Sequence, residues 1–212
     1  VTGGQGRFAK VLKKNNKFLN LYFATKKECN ILNIKSLEKI IKKLKPKMIL
    51  HCAGLSRPME IHQKNIEKSI DLNIVGTANV VKVCKKNNIL LFLDEVQSGF
   101  GRSGKLYAHE WAHIKPDILA TAKGIGSGFP LGACLATSQS SQGMTQGKHG
   151  STYGGNPLAV AVGREVLKII SNKNFLKNVD IISRYLWKNL KNLQNNYDEI
   201  LDVRGAGLLL GI

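Results

Sequence analysis

The sequence contains little arginine, little proline and few acidic residues, and it has no long hydrophobic run. Of its 212 residues, 5 are proline and 14 are Asp or Glu. No stretch approaches the roughly 18 consecutive apolar residues of a transmembrane helix. The opening VTGGQG also lacks the basic and apolar regions of a signal peptide. We therefore expect a protein that is neither secreted nor inserted in a membrane.

Cysteine is also sparse. The four cysteines are far apart and form no C-x-x-C pair: Cys29, Cys52, Cys84 and Cys134. Scattered thiols fit a reducing compartment better than a disulfide framework or a zinc ribbon. The hydrophobic fraction of 43% is typical of a chain that can bury a core. The sequence predicts a globular cytoplasmic protein.

Positive charge is abundant, and the formal net charge is +18. Six of the 32 basic residues are arginine and the other 26 are lysine, many of them beside asparagine as in KKNNK and KKNNI. No aromatic residues are interleaved with a basic stripe. This pattern favours a solvated lysine-rich surface over a nucleic-acid site.

The charge is unevenly distributed along the chain. Residues 1–89 contain 19 basic and 5 acidic residues, whereas residues 90–212 contain 13 and 9. An amphipathic helix ends near Ile89 and an apolar run begins at Leu90, with no Gly, Pro or Ser linker between them. We expect two parts, 1–89 and 90–212, joined without a hinge.

The first part alternates strand and helix patterns, which favours an α/β fold with a parallel sheet. A glycine turn precedes an amphipathic helix that starts near Phe8. The further elements are a strand Phe18–Ala24, a helix Ser36–Leu44 with Ser36 as N-cap, a buried strand Met48–Cys52, and a long helix Met59–Lys86 interrupted near Asn73 and Gly76.

The glycine turn contains Gly3, Gly4 and Gly6, which with Ala9 give the pattern G-x-G-x-x-A. Such a turn lets the backbone approach a pyrophosphate, and the N–H groups of the following helix can hold the anion. Many α/β proteins contain a purely structural glycine turn of this kind. The motif alone leaves both interpretations open.

Three strings, TGGQGRFA, HCAG and DLNIVGTANVV, resemble the extended short-chain dehydrogenase/reductase family of nucleotide-sugar epimerases and reductases. The resemblance implies a Rossmann-like fragment that binds NAD(P) through Gly3, Gly4, Gly6 and Asn73. Lys26 and Lys27 occupy the place of the acidic ribose ligand, which favours NADP. The family's Tyr-x-x-x-Lys pair is expected after the next strand and does not appear after residue 89, and only Val1 precedes the turn. We expect a fragment without hydride-transfer activity.

The second part places polar residues at predicted strand ends. Its expected elements are strands at Leu90–Leu93, Asp117–Ala122 and Leu131–Ala136, helices at Pro157–Ile170 and Phe175–Leu193, and a strand pair around Val203 and Leu208. Asp94 follows the first strand and Lys123 the second. A strand-end carboxylate, a lysine among small residues and a Ser/Thr-rich loop suit pyridoxal phosphate. A helix cap or ion pair for Asp94, and a solvated amine for Lys123, remain alternatives.

Four strings strengthen that interpretation: LLFLDEVQSGFGRSGKLYAHEW, PDILATAKGIGSGFPLGACLAT, HGSTYGGNPLAVAV and VRGAGLLLGI. In order and spacing they resemble the C-terminal half of class III aminotransferases of the acetylornithine type. The resemblance implies the C-terminal part of a fold-type I large domain and the start of its small domain. It also implies amino transfer between N-acetylornithine, the small-molecule donor, and the 2-oxo acid 2-oxoglutarate, in arginine biosynthesis.

The same resemblance implies residue roles. Asp94 would pair with the pyridine nitrogen of pyridoxal phosphate, Gln97 would hydrogen-bond its ring hydroxyl, and Lys123 would form the Schiff base and move the substrate proton. Ser151 and Thr152 would reach a phosphate held mainly by the other subunit of a homodimer. Arg204 would bind a substrate carboxylate, with an exposed ion pair to Asp202 as the alternative.

Residues 1–89 carry none of the groups that such an enzyme needs before Asp94. We therefore expect an incomplete site, and an inactive chimera of two families is a further alternative. A separate motif, His109–His113, satisfies H-E-x-x-H, which binds zinc when it lies on a helix. Pro116 ends any helix too soon and no third ligand follows at family spacing, so we expect no metal.

Overall fold

The computed structural model describes residues 1–17, 20–55 and 65–212. The chain divides into two compact units, residues 1–91 and residues 92–212. Within the described ranges, no helix is both long enough and apolar enough to cross a bilayer.

The described residues of unit 1 form four α-helices: α1 (Arg7–Asn15), α2 (Ile34–Leu44), α3 (Ile66–Ile70) and α4 (Gly76–Lys86). A single π-helical segment, Asp71–Val75, joins α3 to α4, so the expected interruption near Asn73 and Gly76 is a local widening of one helix. Residues 59–64 of the predicted long helix lie outside the described residues.

Among the described residues of unit 1, neither of the two predicted strands is formed as a regular strand. Thr2 and His51 make an isolated parallel bridge, in which the Thr2 N–H donates to the Leu50 carbonyl at 3.0 Å. On the other side, the Ala24 N–H donates to the Val1 carbonyl at 3.1 Å. These contacts are too few to form a regular β-ladder. The predicted strands Phe18–Ala24 and Met48–Cys52 are therefore longer than the segments that pair. Phe18 and Leu19 lie outside the described residues.

The core of unit 1 lies between α2 and α4. Leu37 and Ile41 of α2 are buried with Val80 and Val83 of α4. Helix α2 starts two residues earlier than predicted, because the Asn33 side chain accepts a hydrogen bond from the Ser36 N–H at 3.1 Å. The prediction of Ser36 as N-cap was therefore wrong. Asn33 is the cap, since its side-chain oxygen reaches the third helical N–H.

Unit 2 is built around a three-stranded sheet of β1 (Phe92–Asp94), β2 (Ile118–Thr121) and β3 (Ala133–Ala136), in that order. Strand β1 runs parallel to β2, and β3 runs antiparallel to it. We expected a buried strand at Leu90–Leu93, but β1 begins at Phe92, whose side chain is 57% exposed. As an edge strand of a three-stranded sheet, β1 has a neighbour on one side.

Two helices and a hairpin complete unit 2: α5 (Pro157–Ile170), α6 (Lys173–Asn196), β4 (Arg204–Ala206) and β5 (Leu209–Gly211). Asn156 caps α5 by accepting from the Ala159 N–H at 2.9 Å, and Pro157 is the first helical residue. The hairpin docks on the loop after β1, because the Leu208 N–H donates to the Arg102 carbonyl at 2.9 Å.

Candidate functional site

Two parallel strands bring the lysine and the carboxylate to one edge of the sheet. Asp94 is the last residue of β1, and Lys123 begins a one-turn 3-10 helix just after β2. The carboxyl ends of parallel strands meet at the same edge, where ligands bind in open α/β sheets. The Lys123 amine donates a hydrogen bond to Oε1 of Gln97, three residues beyond Asp94. The structure thus brings Lys123 and Gln97 into contact.

Lys123 has a left-handed backbone conformation, with φ of +49°. This conformation costs a non-glycine residue roughly 1–2 kcal/mol. Residues held in such conformations cluster at ligand sites, because the surrounding structure must impose them. The carboxylate of Asp94 accepts a hydrogen bond from the Val96 N–H at 3.0 Å, and it is exposed, as are Gln97 and Lys123.

The predicted phosphate ligands lie in the turn before α5. Ser151 and Thr152 are exposed, and the Ser151 hydroxyl accepts a hydrogen bond from the Gly154 N–H at 2.9 Å. The contacts of the described residues do not join this turn to Lys123. Their assignment to the phosphate remains a prediction.

Arg204 begins β4 and is exposed. Its Nη1 donates to a carboxylate oxygen of Asp202 at 3.1 Å, which is the ion pair that the sequence left open as an alternative. An exposed pair of this kind contributes little to stability, and its arginine can exchange partners. The substrate-binding role of Arg204 remains a prediction.

The glycine turn of unit 1 requires glycine at two positions. Gly3 has φ of +64°, and a Cβ at this residue would lie 2.7 Å from the Ala53 Cα. A Cβ at Gly4 would lie 2.7 Å from the Phe23 carbonyl carbon. Gly6 is the N-cap of α1 and has no side chain to satisfy that helix end. Close packing of the backbone therefore explains why Gly3 and Gly4 are glycines. A role for the glycine turn in cofactor binding remains a prediction.

Asn73 lies in the π-helical segment and holds the loop that follows Cys52. Its Oδ1 accepts a hydrogen bond from the Leu55 N–H at 2.7 Å, and its Nδ2 donates to the Leu55 carbonyl at 2.9 Å. The amide is therefore engaged with backbone groups of unit 1. A role for Asn73 at a cofactor remains a prediction.

The H-E-x-x-H segment forms a 3-10 helix, Ala108–Ala112, and not an α-helix. Glu110 accepts a hydrogen bond from the Tyr107 N–H at 2.8 Å, which caps this helix. The described residues include no group of three or more His, Cys, Asp or Glu that could hold a metal ion. Burial raises the pKa of the neighbouring Tyr107 above its ordinary value.

Sequence reasoning assigned no role to Glu95, whose side chain is buried with 4% exposure. It accepts hydrogen bonds from four donors of Ser98, Ala108 and His109. Strand alternation could have indicated its burial. Successive residues of a strand point to opposite sides, so two adjacent acids at a strand end have different surroundings. Asp94 is exposed and Glu95 is buried accordingly.

Comparisons with known proteins match two parts of the chain to two families, and the matched ranges overlap at residues 77–93. The family model for class III aminotransferases matches residues 77–212, and the model for the RmlD substrate binding domain matches residues 1–93. These matches confirm both resemblances found in the sequence. They also support a Rossmann-like part in the first half.

Acetylornithine aminotransferase from Brucella melitensis is 52% identical over 134 residues, which are 63% of this chain and 33% of that protein. The acetylornithine aminotransferase structure from Elizabethkingia anophelis is 35% identical, with a TM-score of 0.60 over 66% of this chain and 35% of that one. An ornithine aminotransferase structure from Plasmodium yoelii is 31% identical, with a TM-score of 0.63. That match covers 84% of this chain and 46% of the other. These neighbours confirm the expected mixed α/β fold of fold-type I. The chain spans about a third of the length of the curated relatives it matches.

Proposed function

The chain belongs to the class III aminotransferase family, and from that premise we propose that it derives from an enzyme that transfers an amino group with pyridoxal phosphate. The single observation that carries this proposal is the sheet edge where Lys123 contacts Gln97 beside the end of β1. The proposed reaction is acetylornithine/2-oxoglutarate amino transfer in arginine biosynthesis. A homodimer in the cytoplasm is part of the same proposal.

The groups at this edge fit pyridoxal phosphate. A primary amine can bond its aldehyde, a carboxylate can keep its pyridine nitrogen protonated, and an amide can hydrogen-bond its hydroxyl. When bound, pyridoxal phosphate supplies the electron sink that stabilises a carbanion at the substrate carbon. We propose Lys123, Asp94 and Gln97 for the three interactions, and Ser151 and Thr152 for the phosphate.

Lys123 would also move the proton at the substrate carbon. A lysine can do so only with a free electron pair, so its amine must be neutral at that point. The Gln97 carbonyl accepts from the amine and thereby fixes where its hydrogens point. Arg204 would hold a substrate carboxylate after leaving Asp202, since a planar guanidinium matches a carboxylate with two parallel hydrogen bonds.

Reductive trapping tests the proposed lysine. The purified chain is mixed with pyridoxal phosphate and reduced with borohydride, and the pyridoxyl-lysine is located by peptide mass spectrometry. We expect selective labelling of Lys123, because it is the lysine that follows β2 beside Gln97.

Two variants make the trapping result specific. Lys123→Arg should remove the labelled peptide and keep the charge, whereas Lys148→Arg, at an exposed lysine of the same unit, should leave it in place. Labelling spread evenly over many lysines of the parent chain would contradict a site at Lys123.

We propose a second function for the first part of the chain, with a boundary near residue 89 between parts that derive from two families. The match of residues 1–93 and the glycine turn before α1 support NAD(P) binding by unit 1. NADP should protect residues 1–89 from limited proteolysis more than NAD does. Equal cleavage with and without either dinucleotide would contradict this proposal and leave an inactive chimera as the better description of this part.

A further inference from the structure

Glu95 lies between Asp94 and Gln97 in the sequence, and its side chain is buried whereas theirs are exposed. Its Oε1 accepts hydrogen bonds from the backbone N–H and from Nδ1 of His109, each at 2.8 Å. Its Oε2 accepts from the Ala108 N–H at 2.6 Å and from the Ser98 hydroxyl at 3.1 Å. Both oxygens are thus satisfied inside the protein. Because a carboxylate is an acceptor only, Nδ1 of His109 must carry a hydrogen.

The backbone of Glu95 is anchored as well. Its N–H donates to the Ala120 carbonyl of β2 at 2.9 Å, and its carbonyl accepts from the Gly99 N–H at 3.0 Å. Glu95 therefore fastens the turn after β1 to the neighbouring strand and to the 3-10 helix at Ala108–Ala112. These contacts hold the turn from its buried side.

The exposed side of the same turn carries the proposed cofactor ligands. Asp94 immediately precedes Glu95, and Gln97, which contacts Lys123, follows two residues later. A buried, fully hydrogen-bonded carboxylate has one stable arrangement, because breaking any of its bonds leaves a desolvated group unpaired. The position of the turn relative to Lys123 therefore depends on Glu95 and His109.

We propose that Glu95 and His109 form a positioning pair that holds Asp94 and Gln97 against the lysine site, an inference that rests on the proposed function. Neither residue touches the cofactor. His109 acts through Glu95, and Glu95 acts through the backbone of the turn. This assignment also accounts for the first histidine of the H-E-x-x-H segment without a metal.

Histidine variants test the pair in the full chain with pyridoxal phosphate as the probe. The readout is the concentration of pyridoxal phosphate at which reductive labelling of Lys123 is half-maximal. His109→Leu removes the Nδ1 donor and should raise this concentration about tenfold, the effect expected when a hydrogen bond to a charged group is lost. His109→Asn keeps a side-chain N–H near the position of Nδ1 and should stay within about twofold of the parent.

A control separates positioning from general destabilisation. His113→Asn changes the exposed second histidine of the segment, which has a positive φ that asparagine tolerates, and it should leave labelling unchanged. Thermal unfolding without the probe shows whether each variant folds. The proposal would be overturned if the half-saturating concentration were the same for His109→Leu and the parent. It would also be overturned if His109→Leu and His109→Asn raised that concentration equally.

A second readout does not depend on the cofactor. The Val96 N–H is held by the Asp94 carboxylate, so its hydrogen exchange reports on the turn directly. We expect exchange at Val96 to be faster in His109→Leu and close to the parent in His109→Asn. If the parent shows no selective labelling at Lys123, the proposed function fails, and exchange at Val96 still decides whether the pair holds the turn.

Discussion

At the scale of single residues, adjacent side chains in this chain have opposite environments. Asp94 is exposed at the end of β1, whereas its neighbour Glu95 is buried with every oxygen hydrogen-bonded. Alternation along a strand produces this division, and the sequence alone shows only two carboxylates in a row. The buried acid is hydrogen-bonded to the protein through both oxygens, and the exposed acid faces solvent.

His51 is a second residue whose environment determines its behaviour. Its Nδ1 lies 2.7 Å from the Thr2 hydroxyl and its Nε2 lies 3.1 Å from the Thr77 hydroxyl. The Thr2 hydroxyl accepts from the Cys52 N–H at 3.2 Å and from the Ala53 N–H at 3.4 Å, which occupy both of its lone pairs, so it donates its own hydrogen to Nδ1. The neutral ring with hydrogen on Nε2 therefore satisfies both contacts.

Burial lowers the pKa of His51 below its ordinary value. The unfolded chain then binds more protons than the folded chain just below the ordinary histidine pKa of about 6.5. The contribution of His51 to stability is present above that pH and is lost as the pH falls through the folded pKa. NMR titration of this ring should give a lower midpoint in the folded chain than in urea. A folded midpoint at or above the urea value would contradict the prediction.

At the scale of elements, local sequence signals were most accurate where the capping residues and the periodicity agree. Helix α5 has the predicted bounds, because Asn156 caps it and Pro157 fits the first helical position. Helix α2 was misjudged at its start, since both Asn33 and Ser36 are good caps and only the hydrogen bond decides between them. The strands were less accurate, because pairing partners set their lengths.

Gly207 allows the β4–β5 hairpin to lie close to the loop after β1. Gly207 has φ of +57°, and its Cα lies against the backbone of Ser103 and Gly104, where a Cβ would clash. Gly207→Ala should therefore displace the hairpin from the loop after β1. Hydrogen exchange at the Leu208 N–H, which donates to Arg102, should become faster.

A second glycine isolates the steric part of this effect. Gly147 also has a positive φ, of +78°, but a Cβ there would meet nothing within 4 Å. Gly147→Ala carries the backbone strain alone, about 1 kcal/mol, and should leave exchange at Leu208 unchanged. Equal exchange at Leu208 in the parent and Gly207→Ala would show that the hairpin is not held by this contact.

At the scale of the whole molecule, a high positive charge coexists with exposed apolar side chains. The net charge is +18, and large apolar residues are exposed on both units, including Phe8 and Val11 of α1 and Ile181 and Tyr185 of α6. Net charge keeps chains apart, whereas apolar surface favours association. The ionic strength sets the balance between the two, because salt shortens the range of charge repulsion.

Sedimentation velocity over a salt series tests this balance. Association of the chain should increase between about 20 mM and about 500 mM sodium chloride, because the Debye length falls from about 20 Å to about 4 Å over that range. Association that decreases with salt would instead show that charge pairs hold the copies together.

The amount that could be predicted from the sequence differs between the fold and the site. The motif strings identified both families, and the family matches confirmed them, because long strings at fixed spacing are specific. The site could be predicted only as far as residue types. Whether Arg204 faces a ligand or Asp202 depends on contacts that no local pattern encodes.

Periodicity, caps and side-chain type are local properties, so the helices and the residues able to carry chemistry could be predicted from the sequence. The tertiary structure adds that Lys123 contacts Gln97, that Glu95 is buried against His109, and that the strand expected at Met48–Cys52 is reduced to a bridge between His51 and Thr2. The physical reason is that pairing and burial depend on residues far apart in the chain, whose approach is set by packing and by backbone hydrogen bonds.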